Sequence, residues 1–205
     1  MIKPFSQACE NNKRPILMVL ERHLGTVRRT VRRTVRHVLE IGSGTGQHAA
    51  FFAPRLPHLI WQTSDRRENH DGIRLWIDEA GCANLRAPLD LDVTVRPWPI
   101  DKTEAVFSAN TAHIMSWPIV EEFVAGVGDV LDAGGLFCLY GPFNYGGTYT
   151  SDSNARFDDM LRQHDPLSAI RDFEAVDALA TVAGLRLVED NAMPANNRLL
   201  VWRKV

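Results

Sequence analysis

The chain has 205 residues, 45% of them hydrophobic and 23% charged, which suits one globular domain with a sizeable core. Its formal net charge of −2 gives no general affinity for nucleic acid or an anionic membrane. Three scattered cysteines (Cys9, Cys82, Cys138) have neither metal-ligand nor redox spacing and fit a reducing cytoplasm; the opening residues lack the apolar run of a signal peptide, and no stretch reaches membrane-spanning length.

Taken in order, residues 1–25 divide into an arm and a helix. Ile16, Leu17, Val19, Leu20 and Leu24 form an apolar stripe, Pro15 suits the first turn, and Gly25 marks the end. Residues 6–14 are too polar for core and read, by themselves, as a solvated arm. Residues 26–37 repeat Thr-Val-Arg-Arg. The local positive charge admits an RNA- or phosphate-binding reading, but the absence of interleaved aromatics and the acidic whole favour a low-complexity connector.

Val38, Leu39 and Ile41 then read as a buried strand, interrupted by Gly42-Ser43-Gly44-Thr45-Gly46. A helical pattern resumes at Ala49. Strand, glycine turn and helix together present unpaired N–H groups and close backbone approach to a polar ligand. A dinucleotide fingerprint, G-x-G-x-x-G/A, needs a small residue where this chain has Gln47. Instead the third glycine is Gly46, and Glu40 precedes the first by two. This acidic-x-G-x-G-x-G pattern resembles the cofactor loop of class I methyltransferases, which bind S-adenosylmethionine (SAM).

Downstream, strands and helices alternate as in a doubly wound fold. Residues 58–65 form the second strand and end in Asp65, placed where a nucleotide-binding unit puts the acid for ribose hydroxyls. A helix with Ile73, Trp76, Ile77 and Ala80 on one face stops at Gly81. Residues 89–93 read as the third strand. Asp90 and Asp92 share a side, and Asp92, nearer the carboxyl end, is favoured to meet an adenine amino group. The fourth strand, residues 105–109, leads to Asn110, His113 and Trp117, candidates for an acceptor pocket with His113 as a general base. His113 has an equally plain reading as a residue packing the start of the next helix. That helix carries Val120, Phe123, Val124, Val127 and Leu131 and stops at Gly134-Gly135. Residues 136–140 make an apolar central strand, and residues 141–151 a long loop at the ligand edge. Helices are expected over 154–163 and 173–183. Strands at 185–189 and 199–202 must pair as a hairpin, which makes one antiparallel to the rest.

The whole chain, residues 1–205, is therefore expected to be a single class I methyltransferase-like domain with a seven-stranded, mostly parallel Rossmann-like sheet. It resembles the methyltransferase-like 26 family along much of its length: Glu10-Asn11-Asn12-Lys13-Arg14-Pro15, the loop ending Gly46-Gln47-His48, Trp61-Gln62-Thr63-Ser64-Asp65, Asn110-Thr111-Ala112-His113, Tyr140-Gly141-Pro142-Phe143, and Met193-Pro194-Ala195-Asn196-Asn197. The arginine repeats depart from that pattern. The resemblance implies SAM as cofactor, with Glu40, Gly42, Ser43, Gly44 and Gly46 at the methionine and ribose end, Asp65 on the ribose and Asp92 on the adenine. It also draws the arm in, with Asn11 or Lys13 reaching the pocket and Lys13 facing the SAM carboxylate. The acceptor is expected to be a small molecule or a protein. Nucleic acid is disfavoured because tetrads such as Asn-Pro-Pro-Tyr are absent, and no metal cluster has ligand spacing. A SAM-binding module without catalysis and a nicotinamide-dependent oxidoreductase are the alternatives.

Overall fold

The computed structural model describes residues 3–25 and 35–205. Most of the arginine repeat therefore lies outside the described residues. Strands β1 (His37–Ile41), β2 (Ile60–Asp65), β3 (Leu85–Asp90), β4 (Thr103–Ala109), β5 (Leu131–Asn144), β7 (Leu185–Met193) and β8 (Asn197–Lys204) form a sheet in the order β3-β2-β1-β4-β5-β8-β7; the two-residue β6 (Arg171–Asp172) pairs with β5 off that path. All pairings are parallel except those of β8 with β5 and β7, so β8 is the single reversed strand.

Alternating side chains divide the core between the two faces of the sheet. On one face, Leu136, Cys138 and Tyr140 of β5 share a cluster with Ile16, Leu20 and Leu24 of α1 (Gln7–Leu24) and Ala49 and Phe52 of α2 (Gln47–Phe52). On the other, Phe137 and Leu139 join Phe123, Val124 and Val127 of α4 (Trp117–Val130) and Val176 and Ala180 of α6 (Phe173–Val182). α3 (His70–Ala80) ends at Gly81, whose left-handed φ of 58° suits glycine. α5 spans Asp152–His164.

Four local expectations are corrected. α1 begins at Gln7 rather than near Pro15, because Ser6 caps it by accepting the Cys9 N–H (3.4 Å) and the helix runs straight through Pro15. Residues 7–14 are thus helix, with Asn12 buried. The third strand is Leu85–Asp90, not 89–93: it is an edge strand, and a bulge opposite Thr63 accommodates Pro88. β5 continues to Asn144, since β8 pairs with Gly141 and Pro142 and β6 with Phe143 and Asn144. The loop there shrinks to the turn Tyr145–Thr148 and a short run into α5. Finally, α4 (Trp117–Val130) stops before Leu131 rather than at Gly134-Gly135, because Leu131 leaves the helix to open β5, where it pairs with Thr103.

Candidate functional site

β1 and β4 are neighbours whose chains depart to opposite sides of the sheet, and a crevice opens at the carboxyl ends of strands at such a switch point. Here it is a cavity of about 940 Å³. The turn after β1 forms part of its wall. Gly42, Gly44 and Gly46 have φ of 69°, 57° and 90°. Ser43 folds the turn back on the sheet: its N–H donates to Ser64 O (3.0 Å), and its hydroxyl accepts the Ser64 N–H (3.2 Å) and donates to Glu40 Oε2 (3.1 Å).

Asp65 closes the turn from β2. Its Oδ2 accepts the Gly44 N–H at 2.7 Å, and its Oδ1 accepts the Arg66 N–H and the Asn69 side-chain amide, each at 2.8 Å. Three of roughly four acceptor positions are used, which leaves capacity facing the cavity that Asp65 lines. Asp92 also lines it, from the turn after β3. Its Oδ1 accepts the Thr94 N–H (2.9 Å) and hydroxyl (2.7 Å), which hold the carboxyl below its usual range and so ionised.

Asn110 and His113 reach the cavity from the β4–α4 loop. Asn110 has φ 59° and donates its N–H to Tyr140 O (2.8 Å). The His113 segment is held from behind: Arg171 donates to the carbonyls of Ala112 (3.2 Å) and Met115, and the Ala169 N–H donates to His113 O (3.0 Å). The imidazole is 6% exposed, and burial, with Arg171 nearby, pushes its pKa down to about 4. It is a neutral ring at physiological pH. Phe157 of α5 meets it edge to face at 5.4 Å.

Four sequence-derived candidates, Glu40, Gly46, Lys13 and Trp117, do not line the cavity. Glu40 is buried beneath the turn rather than lining the cavity, where it accepts the Trp61 indole N–H (2.9 Å); burial pushes its pKa up to about 7. Gly46 is also buried. A Cβ there would lie 3.0 Å from Ile73 Cα, so this glycine serves the packing of α2 on α3. Lys13 ion-pairs with Glu10 and sits over the Phe51 ring, away from the cavity, because the helical arm turns it outward. Asn11 reaches the rim and accepts from Gln7 Nε2 (2.9 Å). Trp117 packs against the α4 core, not in the cavity, and of residues 141–149 only Pro142 lines it.

Several lining groups escaped the sequence reading. Cys9 and Asn12 come from α1, and Asn12 Oδ1 lies 2.7 Å from His48 Nε2 inside the protein. Asn154 and Phe157 come from α5, Pro194 and Ala195 from the turn between β7 and β8, and Asn197 from the first position of β8. Ala195 and Asn196 hold left-handed φ of 56° and 57° there, so all three non-glycine residues of positive φ among the described residues, Asn110 included, are at or next to the cavity wall.

This is the fold of class I methyltransferases. The structure superposes with a TM-score of 0.80 on an O-methyltransferase family protein from Burkholderia thailandensis at 16% identity, covering 94% of this chain and 56% of that one. For human N-acetylserotonin methyltransferase in complex with SAM the TM-score is 0.77 at 13% identity, covering 97% and 53%. For an O-methyltransferase family 2 protein from Planctomyces limnophilus in complex with apigenin it is 0.75 at 17%, covering 94% and 62%. The chain thus spans little more than half the length of these solved structures. Residues 3–204 match the family described as Protein of unknown function (DUF938), and the chain belongs to that family. Among the described residues, no helix is long and apolar enough to cross a membrane.

Proposed function

We propose that the protein is a SAM-dependent methyltransferase acting on a small-molecule acceptor. The observation that carries this reading is the joining of the Gly42–Gly46 turn to Asp65 at the edge of one large cavity. The residues present fit the cofactor: Gly42 and Gly44 give close backbone access, Asp65 keeps acceptor capacity for ribose hydroxyls, and ionised Asp92 suits an adenine amino group. Glu40 supports the turn from below through Ser43. A cavity of about 940 Å³ is near the top of the range for small-molecule sites, with room for cofactor and acceptor together. The likeness to the methyltransferase-like 26 family, and the small molecules named with the solved neighbours, point the same way.

Bound in the site, SAM supplies a methyl group already activated on its sulfonium. The protein's own work is positioning and exclusion of water. The 112–115 segment, braced by Arg171, holds His113 against the acceptor half. A neutral imidazole accepts the proton of an acceptor oxygen as that oxygen bonds to carbon, a step that needs no strong base. The nicotinamide alternative is disfavoured by Gln47, which is 3% exposed and bonded to Ser6 where a dinucleotide fingerprint needs a small residue.

Calorimetric titration with SAM, S-adenosylhomocysteine and NAD tests the proposal. SAM and its demethylated product should bind in the micromolar range and NAD not at all; tighter binding of NAD would overturn the reading.

A further inference from the structure

The two halves of the cavity differ in chemistry. Its charged lining side chains, Asp65, Arg66 and Asp92, all lie at the ends of β2 and β3. Among the described residues, those supplied by the β4–α4 loop, β5, α5 and the β7–β8 turn are uncharged. Within this second half, two polar groups are more than nine-tenths buried and keep unpaired atoms. His113 is 6% exposed and Asn154 5%. The Asn154 amide nitrogen donates to Thr150 Oγ1 (2.9 Å) and to the Asn196 carbonyl (3.2 Å). A carbonyl only accepts, so the orientation of the amide is fixed, and Asn154 Oδ1 is left without a partner among the described residues. Asn154 and Phe157 are three apart on α5 and share a face, and Phe157 touches the His113 ring. Oδ1 and the imidazole therefore border the same space.

Both groups offer lone pairs, and apolar Phe157, Pro142 and Pro194 surround them. A ligand that fills this half must bring hydrogen-bond donors on an apolar body. A carboxylate would face a carbonyl lone pair with no cation in the lining of this half to balance it, Arg171 being engaged behind His113 with the Ala112 and Met115 carbonyls. An ammonium would find no counter-charge in that lining.

We propose that this half is a subsite for an uncharged acceptor carrying two hydroxyl groups, and that Asn154 is its specificity-determining residue, accepting a hydrogen bond from the hydroxyl that is not methylated. The inference rests on the methyl-transfer reading. In the reaction, the oxygen of the other hydroxyl bonds to the methyl carbon while the carbon–sulfur bond breaks with its electron pair left on sulfur. The hydroxyl proton passes to a His113 ring nitrogen and then to water. The products are a methyl ether and S-adenosylhomocysteine.

The test uses the full chain saturated with S-adenosylhomocysteine and titrated with catechol, quercetin, phenol, salicylate and tyramine, followed by transfer of labelled methyl from SAM. Catechol and quercetin should bind and be methylated in preference to phenol, with salicylate and tyramine excluded. Asn154→Ala should lower the catechol-to-phenol preference about tenfold, the worth of one buried hydrogen bond, while S-adenosylhomocysteine affinity stays within about twofold. Asn154→Asp keeps an oxygen in place, so the preference for two hydroxyls should survive and tyramine should gain entry. A residue that only braced the β7–β8 turn would depress phenol and catechol equally in both variants, and that outcome overturns the proposal, as does a wild-type preference for salicylate or tyramine. Failure of S-adenosylhomocysteine to bind would instead overturn the methyl-transfer reading beneath it.

Discussion

The backbone N–H of Gly44 donates to Asp65 Oδ2 at 2.7 Å, joining the turn after β1 to the last residue of β2. Turn and acid are 21 residues apart in sequence, and this single bond sets both before any ligand arrives. Asp65 also takes the Arg66 and Asn69 bonds, so its carboxylate is fixed in one orientation at the cavity edge.

Removing that carboxylate should damage ligand binding and local order together. Asp65→Ala is expected to weaken SAM at least about tenfold and to cost about 1–3 kcal/mol of stability, because charge-assisted bonds are lost. Calorimetry, paired with urea unfolding of the ligand-free protein, separates the two effects. Unchanged SAM affinity would place the ribose elsewhere.

Two glycines of the same turn should fail in different ways. A Cβ on Gly46 would press on the backbone of Ile73, so Gly46→Ala should lower the unfolding midpoint markedly. A Cβ on Gly44 meets nothing closer than Gly42 O at 4.0 Å; there the left-handed φ costs about 1 kcal/mol and the methyl enters the ligand space. Gly44→Ala should therefore lose SAM affinity with a small change in Tm. Matching Tm losses in the two variants would contradict this division.

Glu40 gives a signed pH dependence. Burial raises its folded pKa to about 7 from 4.5, so between these values the folded chain holds a proton that the unfolded chain releases. The stability tied to Glu40 is fully present below pH 4.5 and is lost as pH rises through 7, by about 1.4 kcal/mol per unit. Glu40→Gln keeps an oxygen for Trp61 and Ser43 and does not titrate. Its stability relative to wild type should improve by about 2–3 kcal/mol between pH 5 and pH 8. Unfolding curves showing a constant difference would be inconsistent with a carboxyl titrating in that window.

His48 and His113 act in the opposite sense. Burial lowers both to about 4, so below pH 6.5 the unfolded chain takes up protons that the folded chain refuses, and stability falls as pH drops from 6.5 towards 4. His113→Gln should flatten that slope by close to one proton and reduce methyl transfer more than SAM binding. An unaltered slope would mean that His113 is already charged in the folded protein.

The start of α1 is latched to the cofactor turn. Ser6 donates its N–H to Gln47 Oε1 (2.5 Å) and accepts from Gln47 Nε2 (3.3 Å). Gln47→Ala should raise proteolysis before residue 15, and saturating SAM should restore protection if the helix closes on the ligand. Equal cleavage with and without SAM would show the latch to be independent of the cofactor.

What the sequence determined by itself is what neighbouring residues determine. The strand ending at Ile41, the glycines after it, Asp65 at the close of β2 and the apolar stripe of α4 are each read from spacing within one element. The single reversed strand follows as well, since the last two strands have no helix between them. Tertiary structure decided the rest. Pro15 signals a helix start, yet Ser6, capping α1 and latched to Gln47, extends that helix back and turns Lys13 away from the cavity. Glu40 and Gly46 share the motif with Gly44, but the packing of Trp61 and Ile73 makes them supports beneath it. The chemistry of the acceptor half depends on Asn154, His113 and Pro194 meeting across three separate elements. Of the three only His113 stands out in its own stretch, with a packing reading equally open there, because an unpaired Oδ1 or a neutral buried imidazole exists only once the surrounding chain has excluded water from it.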